Sequence, residues 1–355
     1  MKGNVIRVGI IGAGGNTRAL HIPLLQAIPG VEVVAVANRS TASAEAAAAP
    51  FGIRRATDRW ESLIEDPGID AVCIGTWPYL HAPATLVALE AGKHVLCEAR
   101  MACDAAEARA MLAASRRHPD LAAQIVPSPF TLAIDDTICA LLADGAIGSL
   151  LAVDLVHTAG SFRSPETALT WRQDRRLSGL NALTMGIWYE ALMRWTGPAA
   201  SVAAMTTVSV PRRRDADGIL QDVQVPDHID IVGRLVCGAS LNMRFSAITG
   251  LVPQMAVHLC GTEGTLVVQG SPAQVLMGRR GDTVLAPVAI PPPAPGPGPA
   301  GWRVEQEFIA AIRGEAPVRR TTFADGVRYM EFTEAVHLSA LERRVVDIPC
   351  TGKTA

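Results

Sequence analysis

Val5-Ile6-Arg7-Val8-Gly9-Ile10-Ile11 runs straight into Gly12-Ala13-Gly14-Gly15-Asn16-Thr17, and the reading of this junction decides the fold. The apolar, β-branched run reads as a buried strand, and the spacing of Leu20, Leu24, Leu25 and Ile28 beyond the loop reads as a helix. Between them, glycines let the backbone approach a ligand closely while the N–H groups at the helix start face it. A second apolar run, Val31–Ala37, ends in Asn38-Arg39-Ser40, where a βαβ unit of this kind meets an adenosine ribose. The expected ligand is a nicotinamide dinucleotide, with Gly12, Gly14, Gly15, Asn16 and Thr17 at its pyrophosphate and Asn38, Arg39 and Ser40 at its adenosine end.

Three details refine that expectation. Thr17 replaces the third glycine of the usual pattern, so its Cβ is expected to hold helix and strand slightly apart. Pro23 is comfortable only in a first turn, which predicts a regular helix beginning at His21 or Ile22. Asn38 is neutral and Arg39 offers a guanidinium fork that suits phosphate, so the expected cofactor is NAD or NADP with a lean to NADP. The alternative is that Arg39 stacks on adenine or lies in solvent.

The chain has 355 residues, which suits two domains: a Rossmann domain over 1–127 and a substrate and oligomerisation domain over 128–355. Strand-like runs at 69–76, 93–98 and 121–126 alternate with helical ones at 82–91 and Ala105–Arg117, the pattern of a doubly wound parallel sheet. The pattern changes after Pro127-Ser128-Pro129. Asp135 and Asp136 open an apolar helix and are read as capping and dipole placement, not as a catalytic carboxylate pair. Runs at 150–157, 202–210, 229–236, 240–246, 254–260 and 265–269 then predict an open, mostly antiparallel sheet with a helix over 180–195 packed on it. Such a sheet predicts a homodimer or homotetramer. The proline-rich residues 291–300 are expected to form a mobile surface loop, followed by helices over 302–312 and 325–343.

Composition narrows the function classes. A formal charge of -2 leaves no basic surplus for nucleic acid, and 49% hydrophobic with 19% charged residues describes a globular core. No apolar run approaches a membrane span, and no leader is read, so the expected location is the cytoplasm. Seven cysteines without a C-x-x-C pair and eight histidines without metal-ligand spacing predict no metal site.

Taken together, several motifs resemble the glucose-fructose oxidoreductase and inositol dehydrogenase family (Gfo/Idh/MocA). They are the opening loop with His21, the Thr76 to His81 loop before Ala82-Pro83, and Gly92-Lys93-His94-Val95-Leu96-Cys97-Glu98. Further on come Trp171-Arg172-Gln173-Asp174, Gly186-Ile187, Arg194-Trp195 and Ala310-Ala311-Ile312-Arg313-Gly314. The resemblance implies a Rossmann domain, a C-terminal α/β domain with an open sheet, and hydride exchange between NAD(P) and a sugar, polyol or sugar acid at the domain junction. It also implies that Thr76, Trp77, Pro78 and His81 line the nicotinamide side, with Glu98 beside it.

The chemical groups depart from the family pattern. Glu98-Ala99-Arg100 stands where family dehydrogenases usually have Glu-Lys-Pro, and the usual Asp and His one helical turn apart fall on Thr184 and Trp188, with Asn181 a turn earlier. None of these replacements serves as a base near pH 7. Tyr189, His157 and His81 are the remaining catalytic candidates, with Tyr79 in the same loop as His81. Arg100, Arg172, Asn181, Thr184 and Trp188 are the substrate-binding candidates, and Glu190 is expected at the surface or an interface. The expected activity is that of an NAD(P)-dependent oxidoreductase with a non-standard active site. Its alternatives are redox-neutral lyase, epimerase or glycoside-cleaving chemistry with recycled nicotinamide, or a catalytically silent cofactor-binding protein.

Overall fold

Six strands, β1 (Ile6–Ile11), β2 (Val31–Ala37), β3 (Arg55–Thr57), β4 (Ala71–Ile74), β5 (His94–Cys97) and β6 (Ala123–Ile125), form one all-parallel sheet in the order β3-β2-β1-β4-β5-β6. The computed structural model describes residues 5–292 and 298–349. Residues 293–297 of the expected proline-rich loop, the four N-terminal residues and residues 350–355 with Cys350 lie outside the described residues. Every position of β4 is buried and only Arg7 of β1 is exposed, as parallel strands covered on both faces require. Helices α1 (Ile22–Gln26), α2 (Thr41–Ala48), α3 (Glu61–Ile64), α4 (His81–Glu90) and α5 (Ala105–Arg117) provide that cover. Strand order reverses between β1 and β4, so the carboxyl ends of these two strands border the crevice where such sheets bind ligands.

The loop after β1 enters a single π-helical turn, Thr17–His21, and α1 begins at Ile22 as Pro23 requires. Thr17 packs inward between the ends of β1 and β4. Its side chain is buried, Oγ1 donates to Gly12 O at 3.1 Å, and the room comes from Gly75 at the end of β4. A Cβ on Gly75 would lie 2.0 Å from Thr17 Oγ1 and 2.5 Å from Gly12 O.

The chain groups into two compact units, Met1–Pro127 with Pro295–Val327, and Ser128–Ala294 with Arg328–Ala355. In the second unit, α6 (Asp135–Ala143) precedes β7 (Leu150–Thr158), followed by the one-turn helix α7 (Arg175–Ser178), α8 (Met185–Thr196) and β8 (Ala199–Thr207). A two-stranded ribbon, β9 (Arg212–Arg214) with β10 (Leu220–Asp222), stands apart from the main sheet. The sheet continues through β11 (His228–Leu235), β12 (Ser240–Ser246), β13 (Gln254–Gly261), β14 (Gly264–Gln269), β15 (Gln274–Arg279) and β16 (Ala286–Pro287). After α9 (Val304–Ile312) and α10 (Phe323–Glu342), β17 (Val346–Asp347) completes nine strands in the order β16-β15-β14-β13-β7-β12-β11-β8-β17. Only the β7–β12 pair is parallel, so the sheet is mostly antiparallel as its turn spacing predicts.

The sequence reading assigns residues 298–327 to the second domain, whereas they group with the first unit. The reason is local: α9 buries Val304, Phe308 and Ile309, Arg313 donates to Pro29 O at 2.5 Å, and Ile125 N–H of β6 bonds Thr321 O at 2.9 Å. Two further expectations need correction. The helix read over 180–195 begins only at Met185, leaving Asn181 in the preceding loop. Asp135 and Asp136 do stand in the first turn of α6, as dipole placement expects, but no side chain caps the helix there; Asp135 is buried, pairs with Arg194 at 3.0 Å and accepts Trp195 Nε1–H at 2.8 Å, locking α6 to α8.

Candidate active site

In the first unit, the carboxyl ends of β1, β2 and β4 open into a cavity of about 410 Å³ whose lining includes Gly12, Gly14, Asn38, Arg39, Thr76 and Trp77. Gly12 has φ +87°, and a Cβ there would lie 2.5 Å from Thr76 Cγ2, so the close approach between the strand ends needs glycine. Gly14 borders the same space, while Gly15 has nothing within 4 Å of where a Cβ would stand. This concave, backbone-lined cradle at the strand-order reversal fits a dinucleotide's pyrophosphate.

At the other end, Asn38 is committed to holding the loop. Its Oδ1 accepts Ala13 N–H at 2.8 Å and its Nδ2 donates to Ser43 O and Oγ at 3.0 Å each. Ser40 Oγ caps α2 by accepting Ser43 N–H at 3.3 Å. The Arg39 guanidinium lies over the Trp77 ring, 4.8 Å from its centre, an arrangement that presents a cationic, flat edge to the cavity. Sequence reasoning missed Asp58 and Trp60, which also line it. Asp58 follows β3, so the rule that ligands meet the carboxyl ends of parallel strands carried the signal.

Pro78 is buried in the turn below Trp77, and Tyr79 reaches the cavity lining. His81 is fully buried, with Nδ1 2.9 Å from Arg100 O and Nε2 3.0 Å from Thr76 O. Burial pushes its pKa down, and in the neutral form its single N–H donates to one of these two carbonyls while the other nitrogen faces the second, so neither nitrogen is open to a ligand for proton transfer. Glu98 lies at the end of β5, and its Oε1 accepts from Asn16 Nδ2 and from His21 Nε2 at 3.0 Å. Burial favours its neutral form, yet the His21 contacts outweigh this and hold it below the ordinary carboxylate range. Glu305, 284 residues from His21, completes the chain at 2.6 Å. A glutamate on an amphipathic helix gives no sequence signal of such a role.

In the second unit, His157 near the end of β7 meets the start of α8. Thr184 Oγ1 lies 3.0 Å from His157 Nδ1, and the rings of Trp188 and Phe130 lie 5.6 and 6.0 Å from the imidazole. Burial lowers the His157 pKa, so the ring is neutral at pH 7. Trp188 is 3% exposed and packs on Phe130 at 5.0 Å, which leaves no open face for stacking on a substrate. Its indole N–H is buried with no hydrogen-bond partner among the described residues. An unpaired buried donor costs about 1–3 kcal/mol, so it is a ready donor for a ligand oxygen.

Other candidates stand elsewhere. Tyr189 is a core residue: its hydroxyl accepts Ala199 N–H at 2.8 Å and its ring stacks on Phe332 at 3.6 Å. Glu190, expected at the surface, is buried, pairing with Arg194 and accepting Ser128 N–H at 2.9 Å. Asn181 is buried and donates to Ser178 O at 2.7 Å. Arg100 is buried in the first unit, whereas Arg172 is exposed with its guanidinium 4.3 Å from the Trp171 ring centre.

Residues 6–124 match the description "Oxidoreductase family, NAD-binding Rossmann fold", and residues 136–267 match the "GFO/IDH/MocA C-terminal domain". The chain belongs to the GFO/IDH/MocA oxidoreductase family. Levoglucosan dehydrogenase of Pseudarthrobacter phenanthrenivorans is 27% identical over 387 residues, spanning 97% of this chain and 98% of the relative. A 1,5-anhydro-D-fructose reductase of Ensifer adhaerens is 28% identical over 268 residues, covering 74% and 75% of the two chains. Among solved structures, a levoglucosan dehydrogenase in complex with NADH and L-sorbose shares the fold with a TM-score of 0.84, at 24% identity and with 97% and 99% covered. Within this GFO/IDH/MocA chain, the two positions that the resemblance aligns with the usual Asp and His, Thr184 and Trp188, both lie against His157. Among the described residues no helix is long and apolar enough to cross a membrane.

Proposed function

We propose that this GFO/IDH/MocA protein is an NAD(H)-dependent dehydrogenase or reductase of a sugar, anhydro sugar or related polyol, in which His157 handles the proton. The observation that carries the reading is the Thr184 Oγ1 to His157 Nδ1 contact of 3.0 Å. It supplies from a strand the imidazole that the family usually carries on the helix. The levoglucosan- and anhydrofructose-acting relatives support the substrate class.

When bound, the nicotinamide ring accepts or donates the hydride; the remaining work falls to the chain. Oxidising a carbinol requires its hydroxyl proton to leave as the carbonyl forms, and a positioned base contributes about 10²- to 10⁴-fold. With Nδ1–H donated to Thr184 Oγ1, His157 Nε2 bears the lone pair that takes this proton, and in the reverse direction it returns it. The Trp188 indole N–H holds a substrate oxygen, and Arg172 binds a further hydroxyl or a carboxylate. Gly12, Gly14 and the start of the π-helical turn cradle the pyrophosphate, while Asp58 accepts from the adenosine ribose hydroxyls and disfavours a 2′-phosphate. We further propose that the nine-stranded sheet forms a homo-oligomer.

Incubation with NAD and a panel of anhydro sugars, aldoses and cyclic polyols, followed at 340 nm (about the reduced-nicotinamide band), tests the reading. Reduction of NAD by at least one cyclic polyol, lost in His157→Gln, is the expected result. Turnover undiminished in that variant would remove His157 from the chemistry.

A further inference from the structure

His21 joins three parts of the first unit that are far apart in sequence. It sits on the π-helical turn behind the glycine-rich loop, fully buried, with Nε2 3.0 Å from Glu98 Oε1 and Nδ1 2.6 Å from Glu305 Oε1. Both carboxylates are themselves anchored. Glu305 Oε2 accepts Trp302 Nε1–H at 2.8 Å, Glu98 Oε2 accepts Ala99 N–H at 3.1 Å, and Glu98 Oε1 also accepts from Asn16 Nδ2 of the loop. A neutral imidazole has one N–H and can donate to only one of two carboxylates; the imidazolium donates to both. A buried carboxylate, imidazolium and carboxylate in a row carry desolvation costs that an apolar cluster of the same volume avoids, so stability alone does not account for them.

We propose that Glu305 is a positioning residue of the dinucleotide site: by holding His21 as the imidazolium, it fixes the Glu98 carboxylate and, through Asn16, the glycine-rich loop. This rests on the reading of the first unit as a dinucleotide site. Glu305 itself need not touch the ligand. The groups around His21 are consistent with a lasting positive charge. Trp302 lies 6.0 Å from the imidazole between ring centres, and Cys73 of β4 and Cys97 of β5 remain neutral thiols because burial, then nearby carboxylate charge, pushes their pKa values up. Burial by itself would lower the His21 pKa, but its hydrogen bonds to the Glu305 and Glu98 carboxylates and their charge raise it to about 9.

Calorimetric titration of the full chain with NADH between about pH 6.5 and 9.5, for the unchanged protein and for Glu305→Gln, tests the proposal. The unchanged protein should keep a level affinity to about pH 8 and lose it about fivefold beyond pH 9. In Glu305→Gln the loss should begin at least about one pH unit lower, with affinity within about twofold of the original at pH 6.5 and about fivefold below it at pH 8. A part that merely packs would lower affinity equally at every pH. Superimposable profiles for the two proteins would overturn the proposal while leaving the dinucleotide reading intact, and no NADH binding by the unchanged protein would overturn both. Should the variant fail to fold, the unchanged protein decides: an affinity level through pH 9.5 (about half a unit past the transition), or a His21 imidazole that NMR finds neutral at pH 7.5 (about a unit below it), overturns the assignment.

Discussion

Thr184 at the start of α8 and His157 near the end of β7 are joined side chain to side chain, with Thr184 Oγ1 3.0 Å from His157 Nδ1. The contact orients an imidazole with a hydroxyl where many enzymes use a carboxylate. A hydroxyl fixes the ring without adding negative charge, so burial keeps the His157 pKa low and the ring stays a weak but available base.

The pH dependence of oxidation follows from that sign. A base works in its neutral form, so kcat should hold a plateau through neutral pH and fall in acid as His157 is protonated, at a pH below the ordinary imidazole value. His157→Gln should lower kcat by about 10²- to 10⁴-fold and remove the acid limb, whereas Thr184→Val should cost about tenfold and keep it. Steady-state rates from about pH 5 to 9 check both, and an unchanged acid limb in the histidine variant would contradict the assignment.

Coenzyme choice should follow Asp58, a carboxylate of the cavity lining beside β3 for which we propose the adenosine ribose as partner, because Asn38 is already committed to Ala13 and Ser43. NAD should bind more tightly than NADP. Asp58→Ser should narrow the difference by about tenfold, and Arg39→Ala should weaken both by exposing the Trp77 face. Tighter binding of NADP by the unchanged protein would contradict this and bear out the lean that Arg39 suggests in sequence.

Gly75 should tolerate no side chain. A Cβ there would stand 2.0 Å from Thr17 Oγ1 and 2.5 Å from Gly12 O. Gly75→Ala should destabilise by about 1–3 kcal/mol and weaken cofactor binding. Adding Thr17→Gly should restore only part of this, because the Gly12 carbonyl remains in the way. Denaturant melts of the single and double variants measure the recovery, and complete rescue would mean that the backbone contact yields.

Stability should fall as pH rises from neutral. The folded pKa of His21, about 9, exceeds its unfolded value near 6.5, so its contribution is full below about 6.5 and lost as pH rises through about 9. Glu98 acts in the opposite sense, its folded pKa being depressed, so its share is present above the unfolded value and lost as pH falls through the folded one. Between about pH 6.5 and 9.5 the His21 loss should amount to about 2–3 kcal/mol, read from denaturant midpoints. His21→Gln should flatten that slope.

The exposed side chains Val232, Arg234, Asn242 and Arg244 mark one face of the nine-stranded sheet. We expect a dimer or tetramer through this face, with Val232→Asp lowering the mass seen by light scattering at micromolar concentration. A monomeric unchanged protein would remove this expectation.

Sequence alone determined the parallel βαβ order and the glycine-rich crossover, because hydrophobic period and chain-local turn chemistry are written into neighbouring residues such as Ile10, Gly12 and Pro23. The mostly antiparallel second sheet was legible for the same reason, and so was Gly12 in the cavity lining. The roles of Tyr189, Glu190 and Asp135 were not. Whether a hydroxyl or carboxylate is free or spent depends on partners such as Ala199, Ser128 and Trp195, whose contacts no periodicity encodes. The same holds for residues 298–327, which pack with the first unit, and for the chain from Glu98 through His21 to Glu305. Backbone conformation is set within a few residues, but the pairing of buried charges is decided only when distant segments exclude water together.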